Sequence, residues 1–279
     1  MQRPIRLIYS IFIVRTSVNI NLLTTPARLL HQMEKKLAVF DFDHTIINDN
    51  SDVVAVGMLN PKSIPNDIKK LHRSDGWTAY MQGIFNLLHQ TGIRENRIRK
   101  TMEALTEVQG MCRLIKDLSE NLNYDVIVVS DSNSYFIESW LAVNKLQDNV
   151  LKVFTNPAKF NKDGLLVISM YHLQDTCKLS TKNMCKGQIV QDFITEMKKE
   201  GTNYEKVVYC GDGMNDFCPI LRLNETDLAC VRKGFKCEDI IRKSKEGTYK
   251  DASGITRVVN CEVFYWNNGD DILSFIKHF

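Results

Sequence analysis

Two stretches decide how this chain folds: Lys36-Leu-Ala-Val-Phe-Asp-Phe-Asp-His-Thr45 and Lys206-Val-Val-Tyr-Cys-Gly-Asp-Gly-Met-Asn-Asp216. Each starts as a short apolar run, the pattern of a strand buried on both faces. Each then breaks into acidic residues, Asp41 and Asp43 in the first and Asp212 and Asp216 in the second. A third run, Asp125–Ser130, is β-branched and ends at Ser130 and Asp131. Further strands are expected at Val150–Thr155, Leu228–Val231 and Thr256–Val259.

Helical patterns separate these runs. Gln109–Leu122, a helix capped by Ser132 or Asn133, a helix from Lys186 to about Glu200, and Asp270–Phe279 all read as helices. Asn161–Gly164 is a turn signal that opens a small hairpin. Apolar strands alternating with helices predict an α/β fold, a doubly wound parallel sheet covered on both faces. Residues 51–106 differ: they are polar, helix-patterned and interrupted by Pro61 and Pro65. There Trp77, Tyr80, Met81, Ile84, Phe85 and Leu88 recur at helical spacing, which is read as packing. The expected organisation is therefore a core of residues 34–50 and 107–279, with a helical cap, 51–106, inserted after the first acidic motif.

In an open α/β sheet the ligand crevice lies outside the carboxyl ends of the strands. Asp41, Asp43, Ser130, Asp131 and Asp212 would converge there, although they are far apart in sequence. Carboxylates brought together repel unless a cation neutralises them, and hard oxygen ligands suit Mg²⁺. A carboxylate beside Mg²⁺ can act as a nucleophile and form an aspartyl-phosphate. Lys186, at a helix start, could balance phosphate charge. Singly, each part has a plainer reading: a capping pair of acids, a capping serine, a surface lysine, a glycine turn. Their joint order favours a phosphoryl-transfer site.

Those residues resemble the four motifs of haloacid dehalogenase-type phosphatases over about residues 35–279. More narrowly, D-F-D-H-T-I-I-N-D-N-S-D (41–52), S-D-S-N-S (130–134), V-F-T-N-P (153–157), N-M-C-K-G (183–187) and Y-C-G-D-G-M-N-D-F-C-P (209–219) resemble the phosphoethanolamine/phosphocholine phosphatases and their pyridoxal phosphate phosphatase relatives. The resemblance implies a Rossmann-like core, a mobile cap and a Mg²⁺-dependent phosphomonoesterase. Asp41 would be the nucleophile and Asp43 the general acid and base. Ser130 and Lys186 would hold phosphate oxygens. Asp41, the Asp43 backbone carbonyl and Asp212 would ligate Mg²⁺, with Asp216 in support. Asp52 and Asp131 would meet the substrate. The plainer alternative is that Asp52 and Asp131 cap the helices that follow them. Asn48 stands where an acidic residue is frequent, a departure expected to touch selectivity.

The implied substrate is a small phosphorylated metabolite: phosphoethanolamine, phosphocholine or pyridoxal 5′-phosphate. Phosphoserine, or a silent relative that only binds, are the alternatives; the intact pair Asp41 and Asp43 argues against the second. With 36 basic and 33 acidic residues interspersed, the charge balance gives no support to a nucleic-acid partner. The 279 residues, 44% hydrophobic and 25% charged, are enough for a proper core without staples. The eight dispersed cysteines are accordingly read as reduced thiols. Cys177 and Cys185, with His172 nearby, lack a C-x-x-C pair and a clear fourth ligand for structural zinc, and Ser180 stands where the relatives tend to have a further cysteine.

Residues 1–33 contain Arg3, Arg6, Arg15 and Arg28 and no acid, with an apolar stretch from Leu7 to Val14. That stretch is shorter than the roughly 18 residues a membrane span needs. It reads as an extension ahead of a start at Met33, as a signal peptide, or as a mitochondrial presequence. The expected location is cytoplasmic, or mitochondrial if this segment is a presequence.

Overall fold

The computed structural model describes residues 33–73 and 75–279. The expectations for residues 1–32 lie outside the described residues. Six strands form one parallel sheet: β1 (Met33–Phe40), β2 (Tyr124–Asn133), β3 (Lys152–Asn156), β6 (Thr202–Gly211), β7 (Leu228–Arg232) and β8 (Glu262–Trp266). Their order is β3-β2-β1-β6-β7-β8, so the strand order reverses at β1. β4 (Ala158–Phe160) and β5 (Leu166–Ile168) form a separate antiparallel hairpin. Its turn is the expected one, with Gly164 at φ 77°, a left-handed conformation that glycine adopts freely.

The sheet is apolar on both faces because its strands alternate between two cores. Ala38, Phe40, Val126, Val128, Val208 and Cys210 face one layer, where α5 (Met111–Asn121), α6 (Ser134–Val143) and α10 (Gly269–Ile276) supply Leu114, Trp140 and Ile272. Leu37, Val39, Ile127, Val129, Val207 and Tyr209 face the other. There α7 (Lys186–Lys199) and α9 (Lys236–Lys245) supply Ile189, Phe193 and Ile241. A strand buried on both sides leaves no room for the polar alternation of a half-exposed one, which is why β1 and β6 read as continuous apolar runs.

Asn133 is the residue that caps α6, accepting from the Phe136 N–H at 3.1 Å. The strand expected at Thr256–Val259 is absent. Thr256 makes only an isolated bridge to Lys250, and Val258 is exposed. The last strand is instead Glu262–Trp266, paired along β7; β-branched residues form a strand only where a neighbouring edge is free to pair.

Among the described residues, four α-helices lie between β1 and α5: α1 (Ser51–Gly57), α2 (Asn66–Lys69), α3 (Trp77–Gln90) and α4 (Glu95–Glu103). They build an apolar cluster of their own, with Tyr80, Met81, Ile84, Phe85 and Leu88 of α3 at its centre. The cluster also takes in Phe136 of α6 and Leu166 and Ile168 of the hairpin. Gln82 joins the two segments by hydrogen bonds to the Leu166 carbonyl (3.2 Å) and the Ile168 N–H (2.9 Å). Among the described residues, no helix is long and apolar enough to cross a membrane.

Candidate active site

Parallel pairing sets the acidic residues at one rim. Phe40 pairs with Val128 on one side and Cys210 on the other. Asp41 and Asp43, Ser130 and Asp131, and Asp212 therefore follow at nearly the same level beyond three adjacent strands. The Asp41 N–H donates to the Cys210 carbonyl at 2.9 Å, holding the first acidic loop against β6.

Asp41 is almost fully buried. Its Oδ1 accepts from the Phe42 N–H at 2.7 Å, and its Oδ2 meets Lys186 Nζ at 2.7 Å. The same ammonium reaches Asp216 Oδ1 at 2.9 Å. Asp216 also accepts from Tyr209 Oη (2.7 Å) and from the backbone N–H groups of Asp212 (3.0 Å) and Gly213 (2.8 Å). A Cβ at Gly211 would lie 2.5 Å from this carboxylate, so only glycine admits the approach. Asp212 receives one weak bond, from Thr45 Oγ1 at 3.3 Å.

Oxygens of Asp41, Asp212 and Asp216 lie within 4.8 Å of one another, opposed by Lys186. Burial, with Asp216 and Asp131 adding repulsion against the pull of Lys186, lifts Asp41 to about 7. Burial, then Asp41 and Asp216, lifts Asp212 to about 8. Lys186 is held protonated: burial works against its charge, but Asp216 and Asp41 outweigh it. Three buried carboxylates around one ammonium have a net negative charge, and a hard divalent cation is the ordinary partner of such an oxygen set. The Asp216 oxygens already serve four donors, whereas Asp212 has an oxygen with no hydrogen bond, so the donor set fits a cation held from the Asp41 and Asp212 side.

Asp43 is buried, with Oδ1 accepting from the Ser51 N–H at 2.9 Å. Burial first, then the nearby Asp52 carboxylate, pushes its pKa well above the ordinary value despite that bond. Such surroundings favour the protonated carboxyl.

Ser130 is fully buried and its Oγ accepts from the Ser132 N–H at 3.4 Å. Asp52 is also buried, and Oδ2 accepts from the indole Nε1–H of Trp77 at 2.7 Å. Its Oδ1 has no partner at hydrogen-bond distance. Burial raises Asp52 to about 7, with the charge of Asp131 contributing. Asp131 also lines a cleft of about 480 Å³ with His44, Thr181, Asp212, Phe235 and Lys236. Neither carboxylate caps a helix: Asn50 caps α1 and Asn133 caps α6.

Other residues of this site carried no signal that pattern alone could assign. Trp77 belongs by spacing to the packing stripe of α3, yet its indole holds Asp52. Asn156 donates to the carbonyls of Asp131 (2.7 Å) and Ser132 (2.9 Å) and accepts from the Tyr171 N–H and the Asn183 amide. It fixes the Ser130 loop to the segment leading to Lys186. Arg232 donates to the His44 carbonyl and to Asn48 Oδ1. Asn48 therefore supports the first acidic loop through Arg232, where His44 adopts a left-handed φ of 55°.

Comparison with known proteins agrees with this geometry. The family described as "Putative Phosphatase" matches residues 36–278. The chain is 35% identical to human "Pyridoxal phosphate phosphatase PHOSPHO2", over 87% of this chain and 98% of that one. It is 32% identical to the chicken (Gallus gallus) "Phosphoethanolamine/phosphocholine phosphatase", over 77% of this chain and 82% of that one. Its fold matches a phosphoserine phosphohydrolase-like protein from Francisella tularensis, with TM-score 0.50, 19% identity, and coverage of 86% and 99%. The chain belongs to the haloacid dehalogenase-like phosphatase family that includes the pyridoxal phosphate and phosphoethanolamine/phosphocholine phosphatases.

Proposed function

We propose that this phosphatase is a Mg²⁺-dependent phosphomonoesterase that works through an aspartyl-phosphate on Asp41. The observation that carries the reading is the pairing of Asp41, whose carboxylate is oriented by Lys186 and the Phe42 N–H, with the buried Asp43, whose surroundings favour its protonated form. Asp41 attacks phosphorus and the bond from phosphorus to the ester oxygen breaks. Asp43 gives its proton to that leaving oxygen. Asp43 then takes a proton from the water that attacks the phosphoryl group, which leaves as phosphate and frees Asp41. Ser130 and Lys186 hold phosphate oxygens throughout. Asp41, the Asp43 carbonyl and Asp212 would hold Mg²⁺, which when bound supplies positive charge for the phosphoryl oxygens. Asp216 positions Lys186 and the backbone of the Asp212 turn from behind. The helices α1–α4 act as a cap that excludes water.

For the substrate, buried Asp52 and half-buried Asp131 favour a cationic head group, that of phosphoethanolamine or phosphocholine. A cation there would relieve the repulsion between the two acids. A second reading, pyridoxal 5′-phosphate, is favoured by the longer match to human PHOSPHO2. Turnover of these three esters, phosphoserine and a neutral aryl phosphate by the purified, Mg²⁺-loaded chain tests both. The first reading expects the highest kcat/KM on a cationic ester. A higher value on pyridoxal phosphate selects the second. No turnover of any ester would sink both and leave a binding protein.

A further inference from the structure

Outside this crevice, three cysteines come together from separate segments. Cys218 Sγ lies 3.4 Å from Cys177 Sγ and 3.7 Å from Cys185 Sγ, and all three sulfurs lie within 4.8 Å of one another. Cys177 belongs to the irregular stretch ahead of α7, Cys185 is the N-cap of α7, and Cys218 lies in the short helix α8 (Phe217–Ile220). A disulfide would put two sulfurs at about 2.05 Å. Thiolates bound tetrahedrally to zinc at about 2.3 Å stand about 3.8 Å apart. The observed spacing resembles the second.

The fourth corner is a hydroxyl. Ser180 Oγ is 3.4 Å from Cys177 Sγ, and its hydroxyl acts electrostatically on the thiols of Cys185 and Cys218. His172, close in sequence, is turned away from the role: its Nε2 accepts from the Cys185 N–H at 3.0 Å. Room for the cluster is local. A Cβ at Gly187 would fall 2.8 Å from Cys218 Sγ, so the glycine after Lys186 opens the space the sulfur uses.

Charge favours a thiolate at Cys185, while the hydrogen bond between the two and burial push the Cys218 thiol up. Arg222 Nη2 is 3.8 Å from Cys185 Sγ, and the start of a helix stabilises an anion. The hydrogen bond from the Cys218 thiol, then the Ser180 hydroxyl, holds the Cys185 thiol below its ordinary range against the effect of burial. Three thiolates around a zinc ion have a net charge of −1, which Arg222 offsets.

We propose that Cys177, Cys185 and Cys218 form a zinc site, with the Ser180 hydroxyl or a water at the fourth position. Each ligating thiol releases its proton on binding. The metal would fasten the residue before Lys186 to the turn just after Asp216. It would thus brace two arms of the crevice without touching substrate.

The test uses the full chain, mixed with one equivalent of zinc in excess Mg²⁺, desalted and analysed for bound metal. Wild type and Asp41→Asn should each retain about one zinc, the second showing that the acidic crevice does not hold it. Cys218→Ser and Cys177→Ser should lose it, and the sulfur-to-metal charge-transfer band of the cobalt(II) form should vanish with it. Cys112→Ser should keep both. Ser180→Cys should hold zinc at least about tenfold more tightly against a chelator, because four protein ligands close the site. That variant keeps the test decisive if either cysteine replacement misfolds. Zinc should also raise the unfolding midpoint of wild type by mass action. Wild type that retains no zinc and shows no such band, Ser180→Cys that binds no more tightly, or a Cys177–Cys218 disulfide in the isolated protein would overturn the proposal.

Discussion

Lys186 Nζ stands 2.7 Å from Asp41 Oδ2 in a site where both side chains are nearly inaccessible. Removing one member of a buried ion pair leaves the other charge uncompensated, a cost of about 3–5 kcal/mol. Lys186→Met should therefore lose activity and also lower stability by about that amount, as read from urea unfolding at neutral pH. Asp216 shares the ammonium, at 2.9 Å, so Asp216→Asn in the same chain should recover part of the loss. Unchanged stability in Lys186→Met would mean that the ion pair does not form.

Asp41→Asn should abolish turnover without unfolding the chain, since the amide is nearly isosteric but cannot attack phosphorus. Asp43→Asn should reduce kcat by roughly 10²–10⁴-fold, the usual worth of general acid–base help. Quenched mixtures of wild type and substrate should show phosphate on Asp41 by peptide mass spectrometry. Wild-type rates for pure, Mg²⁺-saturated Asp41→Asn would remove the covalent mechanism.

Without divalent cations, stability should fall as pH rises toward 8. Burial raises Asp41 and Asp52 from 3.8 to about 7 and Asp212 from 3.8 to about 8. The folded chain therefore keeps protons there that the unfolded chain has released. This stabilisation is complete below 3.8 and disappears as pH passes through 7 to 8. Unfolding midpoints measured in chelator from about pH 5.5 to 8.5 should decline, and Mg²⁺ should flatten the decline by neutralising Asp41 and Asp212. A midpoint that rises with pH in chelator would contradict the burial of these acids.

Asp52→Asn and Asp131→Asn should raise KM for phosphoethanolamine and phosphocholine more than for a neutral aryl phosphate, with kcat on the aryl ester largely kept. Trp77→Phe removes the 2.7 Å indole bond to Asp52 and should shift the same ratio more weakly. Equal losses on charged and neutral substrates would show that these acids are structural or catalytic, not selective.

The core of the crevice was legible because its chemistry is written locally. An apolar run followed at once by acids fixes both the strand and the rim on which Asp41, Asp43 and Asp212 sit. Features decided by tertiary partners were not legible. Thr256–Val259 and Glu262–Trp266 are both rich in strand-forming residues; β7 pairs with the second. Trp77 carries the same apolar label as Tyr80, and only its position over Asp52 separates their roles. Cys218 joins Cys177 across 41 residues, a distance at which spacing rules for metal ligands give no signal.

Leu166 and Ile168 of the hairpin share a core with Tyr80 and Phe85 of α3. The cap proposed for residues 51–106 thus shares its core with a second stretch of chain that leaves the sheet at a different strand. Exchange of residues 51–106 alone with a relative would transplant half a hydrophobic seam and orphan the Gln82 bonds to the hairpin. If residues 51–106 act as the proposed cap, a swap that retargets the enzyme must move residues 158–168 with them as a matched set.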